Sequence, residues 1–244
     1  MNIRETDDAL STRLAHEAGE ILRTLQQEGA FSDKALGREG DSRANEFLIT
    51  ALREQRPEDA ILSEEEADTH QRLSAKRVWI IDPLDGTREY SEGRDDWAVH
   101  VALAIDGVAA IGAVALPGLG ITLSSGAPLT LLPMGMPLRM LVSRTRPAAE
   151  ALSVAKALGA DLIPMGSAGA KAMAVVRGEA DIYLHTGGQY EWDNCAPAAV
   201  AMAAGLHASR VDGSPLRYNQ ANTSLPDLLI CRAELAKTVL DLIN

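Results

Sequence analysis

Four carboxylates define the chemistry this sequence can support. Asp82 and Asp85 lie in the run Trp79-Ile-Ile-Asp-Pro-Leu-Asp-Gly-Thr87, Glu64 lies in Leu62-Ser-Glu-Glu-Glu66, and Asp193 follows Glu191-Trp192. Carboxylate oxygens are the ligands magnesium prefers, and that ion keeps waters and shares phosphate oxygens with its substrate. Two such ions side by side can clamp a phosphoryl group and activate a water. Carboxylates close enough to bridge them repel strongly when no metal is present. Taken singly, each acid has a plainer reading: Asp-x-x-Asp as a turn with helix caps, Glu64-Glu65-Glu66 as solvated surface, and Asp193 as a helix N-cap. The neighbouring residues suit a built site, because Pro83 stiffens the turn after Asp82 and Gly86 lets backbone approach a phosphate.

The elements that must carry these acids follow from apolar spacing. Leu10, Leu14, Ala18, Ile21, Leu22 and Leu25 predict a helix over 7–27, with Gly29 as its stop. A second helix is expected from Asp41 or Ser42 to residue 53, with Ala44, Phe47, Leu48, Ala51 and Leu52 inward and Pro57 beyond it. Apolar runs at 60–63, 78–81, 97–104, 108–116 and 121–124 read as strands, two of them joined by an Asp106-Gly107 hairpin turn. The uncharged, Gly- and Pro-rich stretch 126–137 marks a junction. It separates an N-terminal α+β half, 1–133, holding most of the acids, from a C-terminal half, 134–244. There, strands at 138–143, 161–164 and 180–185 alternate with helices at 147–158, 168–177 and 193–204, the pattern of an α/β layer. Each of the four acids falls where an element begins or ends.

Composition excludes several function classes. A net charge of −11 is the wrong sign for general nucleic-acid binding, which needs a basic stripe. The two cysteines, Cys195 and Cys231, are far apart and lack metal-ligand spacing. The N-terminus is polar, and no apolar run approaches the ~18 residues of a membrane span. A cytoplasmic protein without membrane or nucleic-acid partners is the default expectation. With few aromatics, the core must come mainly from Ala, Leu, Val and Ile.

The blocks Ser63-Glu64-Glu65, Trp79–Thr87 and Trp192-Asp193, the last followed by an Ala-rich helix ending at Gly205, resemble the inositol monophosphatase superfamily of lithium-sensitive, magnesium-dependent phosphatases. They occur in the right order over essentially the whole chain. The resemblance implies a layered α-β-α-β-α sandwich and two to three magnesium ions held by Glu64, Asp82, Asp85, Asp193 and the Leu84 carbonyl. Asp41 would pair with Thr87, and the two, assisted by Glu64, would position and deprotonate the attacking water. The sequence departs from the family pattern before Asp41, where Leu36-Gly-Arg-Glu-Gly40 replaces Ser-Pro-Val-Thr, and a helix N-cap is the alternative reading of Asp41. A phosphoenzyme mechanism of the haloacid dehalogenase type is disfavoured, because Asp82 and Asp85 are three apart with a proline between them.

The substrate is expected from other positions. Thr87-Arg88-Glu89-Tyr90 resembles the CysQ-type 3′(2′),5′-bisphosphate nucleotidases, and the run 94–100, Gly166–Met173 and Leu216-Arg-Tyr-Asn-Gln220 resemble the actinobacterial members. That resemblance implies hydrolysis of 3′-phosphoadenosine 5′-phosphate to AMP in sulfate assimilation, with PAPS as a further substrate. Candidate substrate contacts are Gly86, Thr87, Arg88, Glu89, Ser143, Arg146, Gly166, Ser167, Lys171, His185 and Arg217. Small residues opening the helix at 168 would offer amides to an anion, and Lys171 a point charge. Three have plainer counterparts: a solvent-facing lysine for Lys171, a core or surface histidine for His185, and a turn followed by a short strand for the 214–219 segment that holds Arg217. A broad inositol-phosphate or fructose-1,6-bisphosphate phosphatase is the alternative enzyme, and a silent nucleotide-binding regulator the alternative from another class. A homodimer stays open.

Overall fold

The computed structural model describes residues 5–243. Two long helices come first, α1 (Asp7–Glu28) and α2 (Asp33–Gln55), followed by β1 (Ala60–Ser63) and β2 (Arg77–Asp85). The short α3 (Thr87–Ser91) leads to β3 (Ala98–Ile105), β4 (Val108–Leu116) and β5 (Ile121–Ser124). Residues 125–138 contain neither helix nor strand. Beyond them run β6 (Arg139–Ser143), α4 (Ala149–Leu158), β7 (Asp161–Met165), α5 (Ala168–Val176), β8 (Ile182–Tyr190) and α6 (Glu191–Ala203). The chain ends with β9 (His207–Ser209), β10 (Ser224–Cys231) and α7 (Ala236–Ile243). Among the described residues no helix is long and apolar enough to cross a membrane.

The first sheet runs β1-β2-β3-β4-β5, parallel only between β1 and β2, and the second runs β7-β6-β8-β10-β9. Alternation along each strand sends side chains to opposite faces, so each sheet needs cover on both sides. Trp79, Ile81, Val99, Val101 and Leu103 meet α1 and α2 through Leu10, Leu14, Leu22, Leu48 and Leu52. The alternate residues Val78, Ile80, Ala102 and Ala104 turn the other way into a middle core built on α5 and α6. That core also takes Leu141, Tyr183, Leu228 and Ile230 from the second sheet. The outer face of the second sheet, with Met140, Val142, Ile182 and Leu229, is closed by Val154 and Ala155 of α4 and Val239 of α7. The layers are therefore α-β-α-β-α, as the resemblance implies.

Three boundaries next to the acids differ from expectation. α2 begins at Asp33, two turns earlier than the sequence suggests, so Asp41 lies inside the helix and is not its N-cap. β2 continues through Pro83 to Asp85. α6 starts at Glu191, which makes Asp193 its third residue and not its first.

Candidate active site

The Asp82–Asp85 segment owes its shape to an irregularity in β2. Residues three apart on a regular strand point to opposite faces. Here Asp82 pairs with His100 and Asp85 with Ala98, so three steps on β2 match two on β3. The extra residue, at the proline that cannot donate to the ladder, returns Asp85 to the face of Asp82. Gly86 follows at φ 89°, a left-handed conformation, and any Cβ there would meet Ser167 at 3.1 Å and Trp97 at 3.3 Å. Asp193 joins from the first turn of α6, its Oδ2 accepting the Tyr190 N–H at 2.5 Å. Asp82, Asp85 and Asp193 each bring one oxygen to within 4.8 Å of the others.

This cluster is electrostatically unbalanced. Burial and the charges of Glu64, Asp85 and Asp193 push the Asp82 carboxyl well above the usual carboxylate range. Burial, then Asp85, raises Asp193 to about 6. Glu64, just past β1 and open to solvent, loses hydration to the cleft wall and faces Asp193; it is raised to about 7 and hydrogen-bonded to Asp82. Asp41 is raised to about 7 by burial and by Glu65 and Glu64, and its carboxyl meets the Thr87 hydroxyl. The single proton of Thr87 Oγ1 points to the Leu84 carbonyl at 3.1 Å. Asp85 is the exception. Burial pushes it up, but buried His100, with Nε2 at 3.2 Å, and hydrogen bonds from Ser167 and Gly169 outweigh this and hold it at about 2. The cluster is all oxygen, with no sulfur and no imidazole as ligand, and its repulsion is what a hard divalent cation would relieve.

Above the cluster opens a cleft of about 390 Å³. Glu64, Asp85, Gly86, Thr87, Arg88, Glu89, Ser143, Arg146, Gly166, Ser167, Lys171, His185 and Asp193 all line it. Asp82 and Leu84 are buried beneath. Several of these residues have partners the sequence did not suggest. The α5 amides expected to face a substrate anion are taken by Asp85: Gly169 N donates at 2.6 Å and Ala168 N at 3.1 Å, with the Ser167 hydroxyl beside them. Gly166 N donates to Asp96 at 2.7 Å. Lys171 is not solvent-facing. It is buried, donates to the Gly166 and Ser167 carbonyls and sits 5.3 Å from the Tyr183 ring centre; burial lowers its pKa. Glu89 is buried and pairs with Arg144 at 2.9 Å. His185 lies within β8, its Nε2 3.3 Å from the Gly188 carbonyl.

Arg217 stands apart. It is exposed and does not line the cleft, because its neighbours are tied elsewhere: Asn219 N and Gln220 N donate to buried Glu191 at 2.6 and 2.7 Å, and Arg72 reaches Asn219 at 2.8 Å. No strand forms at 214–219. In the other direction, sequence reasoning passed over Arg144, Tyr190 and His100. Arg144 lies between two positions it selected. His100 stands in the apolar run Ala98-Val-His-Val-Ala102, where an ionisable group is itself a signal.

A profile of the inositol monophosphatase family matches residues 4–242. The chain belongs to this family. It is 51% identical over 98% of its length to the 3′-phosphoadenosine 5′-phosphate phosphatase of Mycobacterium leprae, covering 94% of that protein. Identity to the Mycobacterium tuberculosis protein of the same name is 52%, over 92% of this chain and 88% of that one. Among solved structures, CysQ from Bacteroides thetaiotaomicron superposes with a TM-score of 0.82, at 23% identity, over 91% of this chain and 96% of that one. This last likeness concerns the fold.

Proposed function

We propose that this chain hydrolyses the 3′-phosphate of 3′-phosphoadenosine 5′-phosphate, giving AMP and phosphate, with PAPS as a further substrate, in sulfate assimilation. One observation carries the reading. A carboxylate cluster and a cationic rim share a single cleft, in a chain 51% identical along nearly its whole length to a phosphatase of that name.

Asp82, Asp85, Asp193, Glu64 and the Leu84 carbonyl would hold two to three magnesium ions. Bound there, magnesium supplies polarisation of the phosphoryl oxygens and a more acidic water. The chain's own residues do the rest. Thr87, fixed between the Leu84 carbonyl and Asp41, orients the attacking water. Asp41, whose carboxyl meets the Thr87 hydroxyl, accepts its proton at a carboxylate oxygen as general base. Glu64 assists from the mouth. The second phosphate meets Arg144, Arg146 and Arg88 on the rim, where Glu89 fixes Arg144 in place. Ser167 and Lys171 act mainly through Asp85 and the α5 N-terminus, given where their polar atoms are spent.

Phosphate release from 3′-phosphoadenosine 5′-phosphate, inositol 1-phosphate and fructose 1,6-bisphosphate, each with and without magnesium, tests the proposal. The nucleotide is expected to have the highest kcat/KM, and only with the ion. A large preference for either sugar phosphate would overturn it, and no release from any would favour a silent binding protein.

A further inference from the structure

The groups named so far are ionic or hydroxylic and suit the two phosphates, which leaves a nucleobase without a partner. The cleft offers one. The rings of Tyr190 and Trp192 stack with centroids 4.8 Å apart and planes 9° from parallel. Tyr190 lines the cleft and stays 49% exposed, while Trp192 is half-buried behind it. One face of the tyrosine is therefore covered and rigidly backed. A large aromatic held open at a cleft wall by a second aromatic is a flat surface of the kind that takes another flat ring.

The platform is tied to the cage. Tyr190 N donates to Asp193 Oδ2 at 2.5 Å, and Tyr190 is paired with Ser224 of β10, so the backbone that carries the ring is fixed. Tyr190, at the N-cap of α6, and Asp193 are three residues apart, ~4.5 Å of helical rise. The base and the 3′-phosphate leave one ribose ring, so a ligand whose phosphate lies at the carboxylates keeps its base within reach of Tyr190. Inositol and fructose phosphates have no flat ring to lay against an aromatic face.

We infer that Tyr190, backed by Trp192, stacks on the adenine of the substrate and is the residue that separates a bisphosphorylated nucleoside from base-free phosphate esters. The inference rests on the nucleotidase reading. Its test compares 3′-phosphoadenosine 5′-phosphate with ribose 3,5-bisphosphate, which carries both phosphates and no base, in wild type, Tyr190→Ala, Tyr190→Phe and Tyr190→Trp. Tyr190→Ala should lower kcat/KM for the nucleotide by roughly 10- to 100-fold, the scale of base–aromatic stacking, mainly through KM. The same variant should leave the base-free substrate within about 2-fold, and phenylalanine or tryptophan should restore the nucleotide rate. AMP affinity by calorimetry should fall in parallel in Tyr190→Ala. Equal losses on both substrates would assign Tyr190 to the fold of the α6 N-terminus and overturn the inference, as would an unchanged nucleotide KM. Failure of the nucleotidase reading looks different, because wild type itself would then show no preference for the nucleotide.

Discussion

Replacing Asp85 by asparagine tests whether one carboxylate serves both the cage and the fold. Its Oδ2 accepts from Gly169 N at 2.6 Å and from the Ser167 hydroxyl, and its Oδ1 from Ala168 N at 3.1 Å. Asparagine offers one acceptor oxygen. Its cheaper orientation keeps that oxygen toward Gly169 and Ser167 and turns the NH2 toward Ala168, where two donors then face each other. One orphaned buried donor costs about 1–3 kcal/mol, and the retained bonds lose their charge assistance. A loss of ~3 kcal/mol follows. For a chain of this length that is a fall in Tm of roughly 6–12 °C. The melts belong in EDTA, so that loss of bound ion does not contribute. The folded pKa is depressed, so this stabilisation is present at neutral pH and is lost as pH falls through about 2, where wild type and variant should converge. With magnesium, turnover should drop by at least ~100-fold. An unchanged Tm would refute the capping of α5 by Asp85, and near-full turnover would remove Asp85 from the cage.

Two further outcomes follow from the same geometry. In EDTA, Asp41 and Glu64 at about 7 and Asp193 at about 6 bind protons more tightly folded than unfolded, so stability should fall as pH rises from about 4 through about 7; Tm should be several degrees lower at pH 8 than at pH 5, with magnesium restoring more at pH 8, and a rise in Tm over that range would contradict the crowding. Gly169→Ala would set a Cβ 2.0 Å from His100 Nε2, beside a fully buried ring, and should destabilise by about 3 kcal/mol, visible as a lower denaturation midpoint in urea.

Much of this was legible in the sequence because local pattern and tertiary demand agree. α1 and the β3–β4 hairpin are set by residues that read the same way in isolation, with Asp106 and Gly107 both at positive φ as the turn requires. α2 shows the opposite. Gly37 and Gly40, with charges around them, suggest a loop, yet both lie inside the helix, because Cβ atoms there would strike Ser91 at 2.7 Å and Leu22 at 3.0 Å. Helix packing overrides propensity at those positions. β10 was obscured by Pro226, which falls at a break in register between Leu225 and Asp227. At the site, the acids could be found from their motifs. That the α5 amides answer to Asp85, more than 80 residues away, could not, since no local feature records which anion meets a helix end.

The small side chains of α5 and α6 explain how acids from distant parts of the chain converge. Gly112 of β4 lies so close to α6 that a Cβ would stand 2.6 Å from the Ala196 carbonyl, and Gly169 of α5 approaches His100 of β3 still more closely. Ala170, Ala172, Ala174, Ala196, Ala198 and Ala201 fill the middle core between the two sheets. Larger residues there would hold the helices off the first sheet. Asp193 on α6 would then move away from Asp82 and Asp85 on β2, and the α5 amides from Asp85. The alanine-rich composition that looks like filler in the sequence therefore sets the distance across which a cation could be shared. It also explains why the acids can be crowded at all: the apolar packing of this layer supplies the stability that opposes their mutual repulsion until an ion relieves it.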